Sequence, residues 1–163
     1  MLNKALTVIL LSLTLLVFGC GDSEVNKNDT QTRNGKIYLP NSQEPYTGTV
    51  YTVHSKMGEG FGDTASETQY VDGLKHGEHV SFYTNEQVNE KGDYEYGKHG
   101  GPWVSYHKNG QLRFEGTYKN GKKEGPYVRY YDDGQVYSKG TYKNGEEDGP
   151  WVHYYADGRI FTK

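Results

Sequence analysis

The chain has 163 residues, a length that suits one domain, and a formal net charge of −3 from 18 basic and 21 acidic side chains. That balance excludes a basic nucleic-acid surface as the organising feature, and the single cysteine, Cys20, excludes an intrachain disulfide. Only 33% of the chain is hydrophobic, yet it holds 16 tyrosines and 22 glycines, so a core has to come from the aromatic and β-branched residues that favour strands, joined by many turns.

The first predicted element is a signal peptide over residues 1–19. Lys4 precedes an apolar run from Ala5 to Phe18 that is short for a membrane span. The run closes in Val17-Phe18-Gly19-Cys20, which resembles the lipobox of bacterial lipoproteins. The resemblance implies cleavage before Cys20, lipidation of Cys20 and attachment to a membrane through the lipid. The competing readings are a signal peptide with an incidental cysteine and an uncleaved anchor. Gly21 is not the aspartate that retains enteric lipoproteins at the inner membrane, so the expected destination is the outer membrane where the host has one. Residues 20–34 then form the lipidated cysteine and a tether. The segment "GDSEVNKNDTQTRN" carries one apolar residue, Val25, and is expected to stay flexible.

The remainder, 35–163, is a repeat domain. "GTYKNG" occurs at 116–121 and again at 140–145, and the step of 24 residues holds from Gly77 onward. His79, Trp103, Tyr127 and Trp151 share one column; Val80, Val104, Val128 and Val152 share the next. The copies run over about 48–76, 77–100, 101–124 and 125–148, with a partial copy at 149–163. The first is stretched by a glycine-rich loop, and "NGKIYLPNSQEPYTG" ahead of it reads as an opening strand and cap.

Within a copy the apolar residues alternate with period 2, which argues for strands. "KNG", "DDG" and "ADG" mark hairpin tips. A three-residue loop, Lys108-Asn109-Gly110, pairs Tyr106 with Leu112 and Val104 with Phe114, and puts Gly110 in the left-handed position. This register predicts a buried seam of Val, Tyr and Leu. Gly92, Gly116 and Gly140 fall on that seam, leaving room for a neighbouring ring or for a close backbone approach. The predicted fold is all-β: tandem hairpins in an elongated, twisted antiparallel meander.

The columns Gly-Pro-Trp-Val-x-Tyr, Asn/Asp-Gly-Gln and Gly-Thr-Tyr-Lys-Asn-Gly resemble the MORN repeat, in the bacterial variant of proteins labelled YwqK-family antitoxins. The resemblance covers residues 35–163. It implies β-hairpin repeats, no catalysis and no cofactor, and a scaffolding or interaction role. A cytoplasmic antitoxin fits poorly with an export signal, which moves the chain away from a cytoplasmic toxin.

No nucleophile elbow, phosphate loop or metal-ligand spacing stands out, and the paired carboxylates fall in turns. The candidate binding face is the aromatic ladder opposite the valine column: His79, Tyr83, Trp103, His107, Tyr127, Arg129, Tyr131, Trp151, His153 and Tyr155. Such a ladder suits a protein partner or the sugar rings of an envelope glycan. Its rival role is a second packing layer, and burial separates the two. The expected function is thus a non-catalytic, lipid-anchored interaction module at the bacterial cell envelope. A toxin-neutralising partner and a glycan-binding module are the alternatives.

Overall fold

The computed structural model describes residues 23–54 and 64–161; the expected signal peptide and Cys20 lie outside them. The fold is all-β. One eleven-stranded sheet is built from consecutive antiparallel neighbours β4 (Gly48–Val53), β5 (Thr64–Val71), β6 (Leu74–Phe82), β7 (Val88–Glu95), β8 (Lys98–Tyr106), β9 (Leu112–Lys119), β10 (Lys122–Tyr130), β11 (Val136–Lys143), β12 (Glu146–Tyr154) and β13 (Ile160–Phe161). A short strand β1 (Glu24–Asn26) lies parallel to β4 at one edge. A separate hairpin of β2 (Gln31–Arg33) and β3 (Lys36–Tyr38) completes the described chain.

The two ends of each hairpin obey different turn rules. At one end Tyr106 pairs with Leu112, and the His107 N–H donates to the Gln111 carbonyl at 2.7 Å. This is the expected three-residue loop, with Gly110 at φ 86° closing it. Glu86 takes the same left-handed position, at φ 64°, in the hairpin before. At the other end Asn120-Gly121 and Asn144-Gly145 both have positive φ, the two-residue turn whose twist matches its strands.

The register departs from expectation one residue below the tip. Arg113 bulges, so Ser105 faces Phe114, Val104 faces Glu115 and Trp103 faces Gly116. The same shift follows Phe82 and Tyr130. A bulge moves every later side chain to the other face of the sheet. Phe114, Gly116 and Tyr118 therefore lie with Trp103, not with Val104. The core lies on the tryptophan face, and the expected valine–tyrosine–leucine seam does not form.

The expected tether is also partly structured. Glu24, Val25 and Asn26 pair with Thr49, Val50 and Tyr51, and the Ser23 carbonyl accepts from the Thr49 N–H at 2.9 Å. The Tyr46 hydroxyl donates to the same carbonyl at 2.5 Å. Backbone pairing and one tyrosine thus order a segment that has little apolar surface of its own. Val25 packs on a small cluster of Ile37, Tyr46, Val50 and Tyr70 that closes this edge of the sheet.

Candidate functional site

The aromatic face follows directly from the bulged register. Thr68, His79, Gly92, Trp103, Gly116, Tyr127 and Gly140 are successive cross-strand neighbours, so rings and glycines alternate. Each ring leans over the glycine before it. A Cβ at Gly92 would lie 2.6 Å from Trp103 Cγ, and one at Gly116 would lie 2.8 Å from Tyr127 Cε2. Trp151 covers Gly140 in the same way. A second row of tyrosines meets these rings edge-on. Tyr94 is 5.4 Å from Trp103 at 88°, and Tyr142 is 5.2 Å from Tyr127 at 84°.

This packing closes the middle of the predicted binding face. Trp103 is 2% exposed, Tyr127 4% and His79 7%. Trp103 donates Nε1–H to the Asp93 carbonyl at 3.0 Å, so its polar edge is also satisfied. His79 Nδ1 is 2.7 Å from Thr68 Oγ1, and its Nε2 faces Glu90 at 3.8 Å. The His79 imidazole facing it holds the Glu90 carboxyl below its ordinary value. Burial pushes the Tyr118 hydroxyl up to about 12, aided by Tyr127 and Glu90 nearby. Lys123 sits over Tyr127 and Tyr142, 4.2 and 4.7 Å from their ring centroids, and burial lowers its pKa. Arg129 is half-buried beside Tyr127, its guanidinium 5.6 Å from the ring centroid.

Tyr83, His107 and Tyr131 have a different duty. The Tyr83 hydroxyl donates to the Tyr106 carbonyl at 2.8 Å, and Tyr131 donates to Tyr154 at 2.8 Å. His107 Nε2 meets the Tyr130 carbonyl at 3.1 Å. A carbonyl only accepts, so Nε2 carries the proton there. His54 makes the equivalent bond to Phe82 at 3.1 Å, two copies earlier. These side chains staple each hairpin to the next. The opposite turns are stapled by backbone: Gly97 to Lys75, Gly121 to His99 and Gly145 to Lys123, at 2.7 to 2.9 Å.

Among the described ladder residues only Tyr155, in the last hairpin, is exposed; Tyr83, His107, Arg129 and Tyr131 are half-buried. Trp151 and His153 are half-buried, and Tyr155 is 47% exposed. Tyr137 and Phe161, which sequence reasoning left out, join them. Tyr137 lies 5.2 Å from Tyr131 and 6.3 Å from His153, and Phe161 lies 5.4 Å from Tyr155. Tyr137, Tyr155 and Phe161 form an exposed aromatic patch, while Ile160 pairs with Tyr154 and falls on the opposite face. The place of Tyr137 and Phe161 was legible without the bulge: each follows the residue that pairs at the tip, Val136 with Tyr130 and Ile160 with Tyr154, so simple alternation sets both opposite the valine column.

Residues 100–120 and 123–144 match the family model described as MORN repeat variant. The chain thus carries MORN-type repeats. No curated protein matches it. Among solved structures it is similar to a chain in the crystal structure of the GtfA/B complex bound to UDP and GlcNAc, at 13% identity and a TM-score of 0.26. That likeness covers 92% of this chain and 29% of the other, so the chain spans under a third of that relative's length.

Proposed function

We propose that this MORN-repeat chain is a non-catalytic, lipid-anchored interaction module of the bacterial cell envelope, and that it holds a protein partner through the aromatic patch of its last hairpin. The carrying observation is the contrast along one face. The rings are sealed at Trp103 and Tyr127 but open at Tyr137, Tyr155 and Phe161. Tyrosines with one open side supply contact area at small entropic cost and recur in interface hot spots. The bond from Tyr131 to the Tyr154 carbonyl ties the hairpin that bears this patch to the rest of the sheet. Anchoring at Cys20 rests on the lipobox resemblance and would hold the module at a membrane through its acyl chains.

Two measurements test the two halves. Fractionation with intact mass compares the native chain with Cys20→Ala. The expected native chain is in the membrane fraction, lacks residues 1–19 and carries acyl mass that Cys20→Ala loses. A cytosolic, unmodified chain would reject the anchor and bring the toxin-neutralising reading forward. For the patch, in-cell cross-linking compares the native chain with Tyr155→Ala/Phe161→Ala. A discrete stoichiometric adduct lost in the double variant, at unchanged thermal midpoint, supports the reading. An adduct that survives places the contact elsewhere. The open rings also suit a sugar, and a polysaccharide pulldown that depends on Tyr155 and Phe161 would replace the protein partner with a glycan.

A further inference from the structure

The face opposite the tryptophans carries a second pattern, one that neither the core nor the aromatic patch uses. Tyr51, Glu67, Val80, Lys91, Val104, Glu115, Val128, Lys139 and Val152 are successive cross-strand neighbours from β4 to β12. Every second strand contributes a half-buried valine. The strands between contribute charges that alternate in sign: Glu67, Lys91, Glu115, Lys139. The face is open among the described residues. Pro102, Val104, Glu115, Thr117, Pro126 and Val128 line a shallow groove of about 300 Å3 at its centre.

We propose that this valine face docks a second copy of the same chain about a two-fold axis that passes through Val104 and runs parallel to β8. Such an axis reverses the order of strands between the two copies. It sets Val104 against its own symmetry mate and Val80 against Val128. It sets Lys91 against Glu115, and Glu67 against Lys139, each twice. The other in-plane axis, along the stacking direction, would keep strand order and place Glu67 against Glu67 and Lys91 against Lys91. The charge pattern therefore selects one arrangement and opposes the other, as complementary charges do at specific interfaces.

The state of each charge within one chain supports the pairing. Glu67 has no cationic partner among the described residues and lies near two other carboxylates, Glu24 and Glu78, which add to burial in raising its pKa. Lys139 makes no ion pair among the described residues; its Nζ lies 5.6 Å from the centroid of the Tyr154 ring. The proposed axis brings these two unmatched charges together. Glu115 is already aimed, since the Tyr130 hydroxyl donates to its Oε1 at 2.5 Å. Lys91 bridges to Glu78 at the exposed surface and stays within reach of an opposing carboxylate. Twist confines close contact between two such sheets to their central strands, so the dimer is expected to be weak, in the micromolar range.

The test uses the full chain with Cys20→Ser in detergent, its oligomeric state read by sedimentation and by a maleimide cross-linker short enough to bridge sheets about 10 Å apart. With Val104→Cys the cross-linked dimer is expected. Val80→Cys alone should give none, and Val80→Cys mixed with Val128→Cys should give one. Lys139→Glu should weaken the dimer by about tenfold or more, because two attractive pairs become repulsive. Glu67→Lys combined with Lys139→Glu in one chain should restore it. The two residues lie six strands apart, about 29 Å within one copy, so restoration cannot arise inside a chain. Both side chains are exposed, so the fold should tolerate both charge variants. A chain that stays monomeric, a Val80→Cys chain that cross-links to itself, or a double reversal that fails to restore the dimer would each overturn the proposal.

Discussion

Gly92→Ala separates two accounts of the glycines under the rings by the sign of its effect. Gly92 lies inside β7 with a φ outside the left-handed region, so its backbone accepts alanine. Strand preference alone then predicts a gain of about 0.5–1 kcal/mol. The structure predicts a loss. The added Cβ would stand 2.6 Å from Trp103 Cγ, and Trp103 is 2% exposed, so the ring has to move. Overpacking that is absorbed by small shifts costs about 1–3 kcal/mol. Expelling the ring, with some 150–250 Å2 buried at about 25 cal/mol per Å2, would cost roughly 4–6 kcal/mol. A loss near 3 kcal/mol is the expected outcome, read as a lower urea midpoint with red-shifted tryptophan emission. In a Trp103→Ala background the same substitution should become neutral or mildly stabilising, since the clash has gone. A Gly92→Ala chain as stable as the native one would refute the ring-over-glycine account.

Three further outcomes follow from the same geometry. Tyr131→Phe removes one staple between hairpins and should lower stability by about 1 kcal/mol, with hydrogen exchange rising first in β12 and β13. Alkaline titration should destabilise the fold between pH 10 and 12. Tyr118 and Tyr130 are both raised to about 12, mainly by burial and for Tyr130 also by its bond to Glu115, so the native state keeps protons that the unfolded chain releases near pH 10. Their contribution is present below pH 10 and is lost by pH 12; Tyr130→Phe should flatten part of that slope in urea midpoints. Glu90 has the opposite sign. Its pKa is lowered by the neighbouring His79 imidazole, so its contribution holds above the ordinary carboxylate range and is lost as pH falls through the folded value. Comparing Glu90→Gln with the native chain from pH 5 to pH 3 should show a shallower acid loss in the variant.

The repeat period, the hairpins and the loop at Gly110 were legible because each is written in local pattern: a 24-residue column, alternation, and turn residues at fixed offsets. The core face was not. A single bulge at Arg113 carries no compositional mark, yet it moves Phe114, Gly116 and Tyr118 across the sheet. Alternation carried past the bulge therefore assigned the buried seam to the valines and left the tryptophans free. The glycines were correctly associated with rings, but on the wrong face. The strand at Glu24–Asn26 escaped composition for another reason, because backbone bonds to β4 hold it and those bonds are indifferent to side chains. The aromatic ladder was visible as a ladder; that its centre is sealed and its end is open depends on which neighbours cover each ring.

The joints between hairpins are not equally strong. At the joints of Tyr83 and His107, the staple is doubled by an asparagine: Asn85 donates to the Lys108 carbonyl at 3.1 Å, and Asn109 to the Asp132 carbonyl at 2.5 Å. At the joint of Tyr131, the asparagine column becomes Asp133, whose carboxylate accepts from the Gln135 N–H and has nothing to donate. Among the described side chains, Tyr131 ties that joint alone, beside the backbone pairing of β11 with β12. Mechanically the sheet is then a beam of graded stiffness, rigid along its early hairpins and compliant at the last. The compliant segment bears Tyr155 and Phe161, so the exposed rings can settle against an imperfectly matched surface while the rest of the beam keeps its form.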